Sequence, residues 1–305
     1  MAAIGYFDIQ VNGYGGFDFN SNDLTLEQMH EACAMLQRDG VDGILATFVT
    51  DYIPQMRARI ARIVRYRQQD PLIAQLIQGL HIEGPFINPL DGYRGAHFLN
   101  AVQPANVSDM ELLLEAGAGL VRIVTLAPEA DAGFTVTRLL AQRGVTVSAG
   151  HCNPSLEQLR GAIDAGLRMF THLGNGCPMM LPRHDNIIQR ALSLADSLWL
   201  CFIADGAHIP FFALRNYLRA VGLQRCLVVT DAIAPAGKGP GQYRLGRWDL
   251  LIGEDLVARS PDGSHLIGSA VGMPRATRNL VEQVGLTPEE VRQLTVVNPR
   301  LALGM

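Results

Sequence analysis

The 305-residue sequence predicts an α/β protein folded as a closed, parallel (β/α)8 TIM barrel. Three observations carry this expectation. Eight short apolar or β-branched runs are spread along the chain with helically spaced segments between them, which is the alternation of βαβ units. The strand runs are continuously apolar, as expected where both faces of a sheet are covered. The length suits one barrel, a fold of roughly 250 residues before insertions, and 48% hydrophobic against 18% charged content leaves no compositional case for disorder.

Taken in order, the strand-like runs fall at 4–9, 43–49, 77–82, 120–124, 145–148, 168–171, 198–203 and 226–229. The first helical segment, 25–37, opens on Thr-Leu-Glu-Gln, which reads as a capping box, and sets Met29, Cys33 and Leu36 on one face. Segments 51–67, 108–116, 135–143, 155–165, 186–195 and 211–221 read in the same way. Beyond the eighth strand, the Gly/Pro-rich run 234–246 is expected to be a mobile loop. Two short strand-like pieces and helices at 273–283 and 287–294 finish the chain. With no internal repeat and no linker, residues 1–305 are expected to form one barrel domain.

Composition narrows the function. Lys plus Arg (25) against Asp plus Glu (29) leaves a net charge of −4 and no basic block, so a nucleic-acid or anionic-membrane partner is not expected. The five cysteines, Cys33, Cys152, Cys177, Cys201 and Cys226, are scattered and never spaced C-x-x-C. That pattern argues against a disulfide or zinc-ribbon framework and for a reducing compartment. No apolar run reaches the ~18 residues of a membrane span, and the N-terminus has no basic leader or cleavage site. The expected location is cytoplasmic.

Barrel chemistry sits where strands end. Glu83 ends the third strand, His151 follows the fifth, His172 the sixth and Asp231 the eighth. Each alone reads as a capped or hydrogen-bonded loop residue, and Asp231 as an Asx-turn residue. Together, two histidines and a carboxylate form a common ligand set for a catalytic divalent ion with an open position. An additional, unligated carboxylate suits proton transfer. The ion is expected to be Zn²⁺, with Fe²⁺, Co²⁺ or Mn²⁺ as alternatives.

The chain resembles the N-acetylglucosamine-6-phosphate deacetylases of the amidohydrolase superfamily. The residues that carry the likeness are Phe7–Gly13 (FDIQVNG), His81–Phe86 (HIEGPF), Gly95–His97 (GAH), Thr125–Glu129 (TLAPE), Gly150–His151, Thr171–Leu173 (THL), Ile203–His208 (IADGAH), Val229–Ala232 (VTDA) and Asn298–Pro299. The resemblance implies a metal-dependent hydrolase barrel in which Glu83, His151 and His172 hold one metal. It also implies that Asp231 moves the water proton, that His97 polarises the acetyl carbonyl and that His208 hydrogen-bonds the sugar. Many amidohydrolases place His-x-His on the first strand; here that position reads Gln10-Val11-Asn12, which implies a single metal, with Gln10 and Asn12 lining the mouth as substrate-binding or purely structural groups.

Three departures stand out. The family's small β-sandwich is expected to be absent. The run Gly174-Asn175-Gly176-Cys177 replaces the family's aromatic and Asn-Ala-Met, so Asn175 and Gly176 are expected to bind substrate in a widened pocket. Arg183 falls where the family's arginine reaches a neighbouring subunit's substrate phosphate, which implies a homodimer, although Asp185 is near enough in sequence to neutralise it. The implied substrate is a small amino sugar, N-acetylglucosamine 6-phosphate. A different linear or cyclic amide, or a non-catalytic sugar-binding role, remains the alternative.

Overall fold

The computed structural model describes residues 5–245, 248–260 and 266–305. Eight strands form one sheet: β1 (Tyr6–Val11), β2 (Val41–Val49), β3 (Ile77–Glu83), β4 (Val121–Leu126), β5 (Thr146–Ala149), β6 (Leu167–Phe170), β7 (Trp199–Ile203) and β8 (Cys226–Val229). Each pairs in parallel with the next in sequence order. The sequence places all eight within a few residues; Ile4, the expected start of the first, lies outside the described residues.

The seam between β1 and β8 closes without a regular ladder. Val11 bridges Ala232 in parallel, and the backbone N–H groups of Asn12 and Gly13 both donate to the Ala232 carbonyl, at 2.7 and 3.1 Å. Deeper in the barrel, buried Asp8 accepts hydrogen bonds from the Thr230 hydroxyl and from the Thr230 N–H (3.3 Å). Burial pushes the Asp8 carboxyl up to about 7 despite these bonds.

Helices α1 (Leu26–Arg38), α2 (Ile53–Gln69), α3 (Pro71–Leu76), α4 (Val107–Ala116), α5 (Thr135–Gln142), α6 (Leu156–Ala165), α7 (Ile187–Leu192) and α8 (Phe211–Val221) cover the outside. Thr25 and Ser155 each complete a capping box with a glutamine three residues on. Helix α3 is missing from the sequence-based expectation. Its signal is Asp70-Pro71: the residue before a proline is pushed out of the helical region, so α2 stops. Asp70 then caps a new helix by accepting the Ile73 N–H at 3.0 Å.

Apolar side chains bury in two layers. Phe7, Ile9, Leu45, Ile123, Met169, Cys201, Ile203, Leu227 and Val229 fill the barrel itself. Their strand neighbours, such as Ile44, Phe48 and Ile82, face outward onto the helices. This is why the strands carry no polar alternation.

The stretch 234–246 differs from the expected loop. Ala234 and Ala236 are buried, and β9 (Gly241–Leu245) pairs antiparallel with β10 (Trp248–Ile252); Gly246 lies outside the described residues. The hairpin packs Leu250 and Ile252 onto Ile233 and Ile267. Helices α9 (Met273–Asn279), α10 (Pro288–Arg292) and α11 (Asn298–Ala302) end the fold, with wider turns over Leu280–Val284 and Gln293–Val297. All five cysteines are unpaired. No helix among the described residues is long and apolar enough to cross a membrane.

Leu45 is fully buried inside the barrel. Leu45→Ala is expected to cost about 2–5 kcal/mol, because the rigid strands around the cavity cannot collapse into it. A urea titration against wild type measures the loss.

Candidate metal centre

The barrel mouth gathers the residues that the sequence disperses. Glu83 closes β3, while His151, His172 and Asp231 each lie two residues beyond β5, β6 and β8. These last three adopt left-handed backbone angles, φ of 50, 31 and 50°. A non-glycine residue pays about 1–2 kcal/mol for such a conformation. The turn is what brings each side chain back over the barrel axis, and strain of this kind is concentrated at functional sites.

Glu83 Oε1 lies 3.2 Å from His151 Nε2 and 3.0 Å from His172 Nε2, and the two nitrogens are 3.1 Å apart. His97 joins from the third βα loop, its Nε2 3.1 Å from His151 Nε2. The donor atoms of Glu83, His97 and His151 all fall within 4.8 Å of one another. Every one of these four side chains is buried.

Hydrogen bonding at the far side of the His151 ring decides which of its nitrogens faces the centre as a lone pair. His151 Nδ1 sits 2.8 Å from the Tyr93 carbonyl, which only accepts, so the proton is on Nδ1 and Nε2 is bare. His97 Nδ1 is 2.7 Å from Thr50 Oγ1, a hydroxyl that both donates and accepts, so this contact suits either His97 tautomer. The bare His151 Nε2 stands 3.2 Å from the Glu83 carboxylate, and the two repel unless a positive charge lies between them. For ligand bonds of about 2.0–2.1 Å, tetrahedral donors stand roughly 3.3–3.4 Å apart, close to the triangle observed. The donor set and its spacing fit a divalent cation.

Burial alone pushes Glu83 up, but the adjoining His151 and His172 rings outweigh it and hold the carboxyl well below its usual range. His172 moves the other way: burial opposes its charge, yet the bond to Glu83 and the nearby Asp231 carboxylate raise it. Burial lowers His97 to about 3, so that ring is neutral. Asp231 is raised to about 6, by burial first and then by the Glu83 charge. Two carboxylates at one mouth thus have opposite tendencies, set by their surroundings.

Gln10 and Asn12 bind the carboxylates. The Gln10 amide donates to Glu83 Oε2 (3.1 Å) and Asp231 Oδ1 (3.2 Å), and the Asn12 amide donates to Asp231 Oδ1 at 2.7 Å. Asp231 Oδ2 has no hydrogen bond among the described residues. Buried Asn12 Oδ1 and His172 Nδ1 also have no partner there. His208 gives Nδ1–H to Asp205 at 2.6 Å and stands close enough to Asp231 to pull its pKa down.

Two expectations require correction. Gly176 does not widen the pocket: a Cβ there would meet His151 Nδ1 at 2.8 Å, and one on Gly95 would meet the same ring at 3.3 Å. Both glycines have positive φ, and together they leave room for the imidazole. Asp185 does not neutralise Arg183; it pairs with Arg190 at 2.6 Å, and exposed Arg183 has no hydrogen bond or ion pair among the described residues. The Asn175 backbone N–H is committed to the His172 carbonyl at 2.9 Å, whereas its buried side-chain Nδ2 has no partner.

Sequence reasoning missed a polar layer beneath the site. His81 Nε2 meets Thr125 Oγ1 (2.8 Å), Thr125 meets Thr171 (2.7 Å) and Thr171 meets Ser148 (2.6 Å). Each lies on a barrel strand or directly after one, and His81 precedes Glu83 by two residues on the same strand face. That period of two was the available signal.

No family model matches the chain. The chain is similar to the N-acetylgalactosamine-6-phosphate deacetylase of Escherichia coli O157:H7, at 30% identity over 98% of this chain and 77% of that protein. It is also similar to the N-acetylglucosamine-6-phosphate deacetylase of Danio rerio, at 33% identity over 100% and 76%. The chain thus spans about three quarters of these relatives. Among solved structures, an N-acetylglucosamine-6-phosphate deacetylase of Mycobacterium smegmatis in complex with N-acetylglucosamine 6-phosphate superposes with a TM-score of 0.88. That match has 29% identity and covers 99% of this chain and 77% of the other.

Gly176→Ala and Gly133→Ala form a matched pair, since both glycines are left-handed but a methyl at Gly133 would meet nothing. Each is expected to lose about 1–2 kcal/mol in thermal unfolding. Only Gly176→Ala should also lower the content of bound divalent metal, measured by elemental analysis after dialysis.

Proposed function

The chain belongs to the N-acetylglucosamine-6-phosphate and N-acetylgalactosamine-6-phosphate deacetylase family, and from that premise we propose that it removes the acetyl group from N-acetylglucosamine 6-phosphate, releasing acetate and the amino sugar phosphate. The observation that carries this reading is the convergence of Glu83, His151 and His172 within 3.0–3.2 Å of one another beneath Asp231.

Glu83, His151 and His172 would hold one divalent ion, with Zn²⁺ the first candidate and Fe²⁺, Co²⁺ or Mn²⁺ the alternatives. Such an ion polarises a carbonyl and lowers the pKa of water towards ~7, which an unreactive amide needs. The remaining work falls to the chain. Asp231 takes the proton of the attacking water on its unengaged Oδ2, while Gln10 and Asn12 hold Oδ1 in place. It then delivers that proton to the departing sugar nitrogen. His97, with its Nδ1 accepting from the Thr50 hydroxyl, presents Nε2–H to the acyl oxygen as negative charge builds there. His208, oriented by Asp205, and Asn175, through its unpartnered amide, hold the sugar, with Gly176 beside them.

Arg183 is the phosphate ligand in this reading, and a bidentate guanidinium suits that role. It sits in the loop where Met179 and Met180 are 98% and 90% exposed. Two bare methionines beside an unpaired arginine suit a loop that a second copy covers, so we place Arg183 across a homodimer interface. The 4-epimer, N-acetylgalactosamine 6-phosphate, is a second reading, favoured by the likeness to the Escherichia coli O157:H7 protein.

Steady-state acetate release from both 6-phosphates and from unphosphorylated N-acetylglucosamine tests the reading; turnover of none of them would overturn it. Asp231→Asn is expected to reduce kcat by a factor of about 10²–10⁴ with zinc content unchanged. Arg183→Ala should raise KM for the phosphorylated sugar by about 10–100-fold, as for loss of a charged hydrogen bond, and leave the unphosphorylated sugar unaffected. A base must be ionised, so protonation of Asp231 shuts the reaction down as pH falls. A bound cation only lowers this pKa from about 6, and the acid limb of kcat/KM should therefore lie at or below about pH 6.

A further inference from the structure

Glu129 belongs to a sequence motif, Thr125–Glu129, that the proposed chemistry leaves unused. It follows β4, away from the four residues of the ligand cluster, yet its carboxylate is largely buried. Glu129 Oε1 accepts two hydrogen bonds, one from the Asn88 side-chain amide at 2.9 Å and one from the Asn153 backbone N–H. Its other oxygen, Oε2, is buried without a partner among the described residues.

The two donors sit on the loops to either side. Asn88 lies after β3, and its own backbone N–H donates to the His151 carbonyl at 2.9 Å. Its side-chain oxygen accepts the Leu90 N–H at 2.9 Å, which ties it to the segment leading to Tyr93, the residue whose carbonyl holds His151 Nδ1. Asn153 is two residues beyond His151, and Arg190 holds its side chain at 3.1 Å. One carboxylate therefore joins the loops after β3, β4 and β5 around a histidine that is held in left-handed backbone geometry. Glu129 makes no hydrogen bond to Glu83, His97, His151 or His172 among the described residues. A buried carboxylate with a bare oxygen is a costly way to brace loops, and one of the loops it joins carries His151.

We propose that Glu129 is a positioning residue: by clamping Asn88 and Asn153 it fixes the His151 backbone, and with it the direction of Nε2 into the ligand cluster. The inference rests on the reading of Glu83, His151 and His172 as metal ligands. Outer partners of metal ligands commonly set affinity by 10–100-fold, and Glu129 acts at one remove through the backbone.

Zinc affinity, measured on the full chain by competition with a chromophoric chelator and paired with thermal unfolding, tests this. Glu129→Ala should weaken zinc binding by about 10–100-fold, while Glu129→Gln, which keeps the Oε1 acceptor, should bind zinc much as wild type does. A Glu129→Ala protein that melts lower but holds zinc as tightly as wild type overturns the proposal, since that is the signature of a brace and nothing more. Should Glu129→Ala fail to fold, Asn88→Ala decides, because it removes the clamped amide and leaves the backbone bond to His151. Weaker zinc binding in that variant supports the proposal, and unchanged binding overturns it. Wild type that binds no zinc at all overturns the ligand reading itself, and the role of Glu129 with it.

Discussion

The arrangement at the barrel mouth depends on one electrostatic constraint: the bare His151 nitrogen and the Glu83 carboxylate face each other at about 3 Å in a buried space that two further imidazoles share. Left uncompensated, such a cluster would be among the least favourable features a fold can carry. A cation at its centre turns the same contacts from repulsive to attractive. Much of the surrounding structure serves to keep the nitrogens aimed there. The Tyr93 carbonyl settles the His151 tautomer and Thr50 holds the His97 ring, two glycines clear space for the His151 ring, and three left-handed residues turn their side chains over the barrel axis.

The same constraint separates the roles of the two carboxylates. Glu83 is drawn into the imidazoles and stays ionised, while Asp231, facing Glu83 and stripped of water, holds its proton more readily. Gln10 supplies an amide to both, a neutral donor where a His-x-His strand would offer two more metal ligands. That donor stands about 3 Å from both carboxylates, and the difference between them follows from their other neighbours, imidazoles for Glu83 and burial for Asp231.

How much of this was readable in advance depended on the range of the interaction. The eight strands were legible because covered sheet faces demand continuous apolar runs, and Thr25 because a capping box is complete within four residues. The convergence of Glu83, His151, His172 and Asp231 on one mouth was legible because a barrel gathers its strand ends there. Local chemistry overlooked produced the missed α3, whose Asp70-Pro71 signal was present. Other failures were non-local. The run 234–246 looks like a loop until the pairing partner of β9 is known. Asp185 and Arg183 are close in sequence, yet Arg190 on the next helix wins the carboxylate. Gly176 reads as lost bulk until the His151 ring is placed against it.

The central claim is that one cation sits among Glu83, His151 and His172. Zinc-edge anomalous diffraction from crystals of the zinc-loaded protein tests it most directly. The account predicts a single anomalous peak per chain, bonded to Glu83 and to the Nε2 atoms of His151 and His172 at about 2.0–2.2 Å. A peak elsewhere, or none with these side chains ordered, would contradict it.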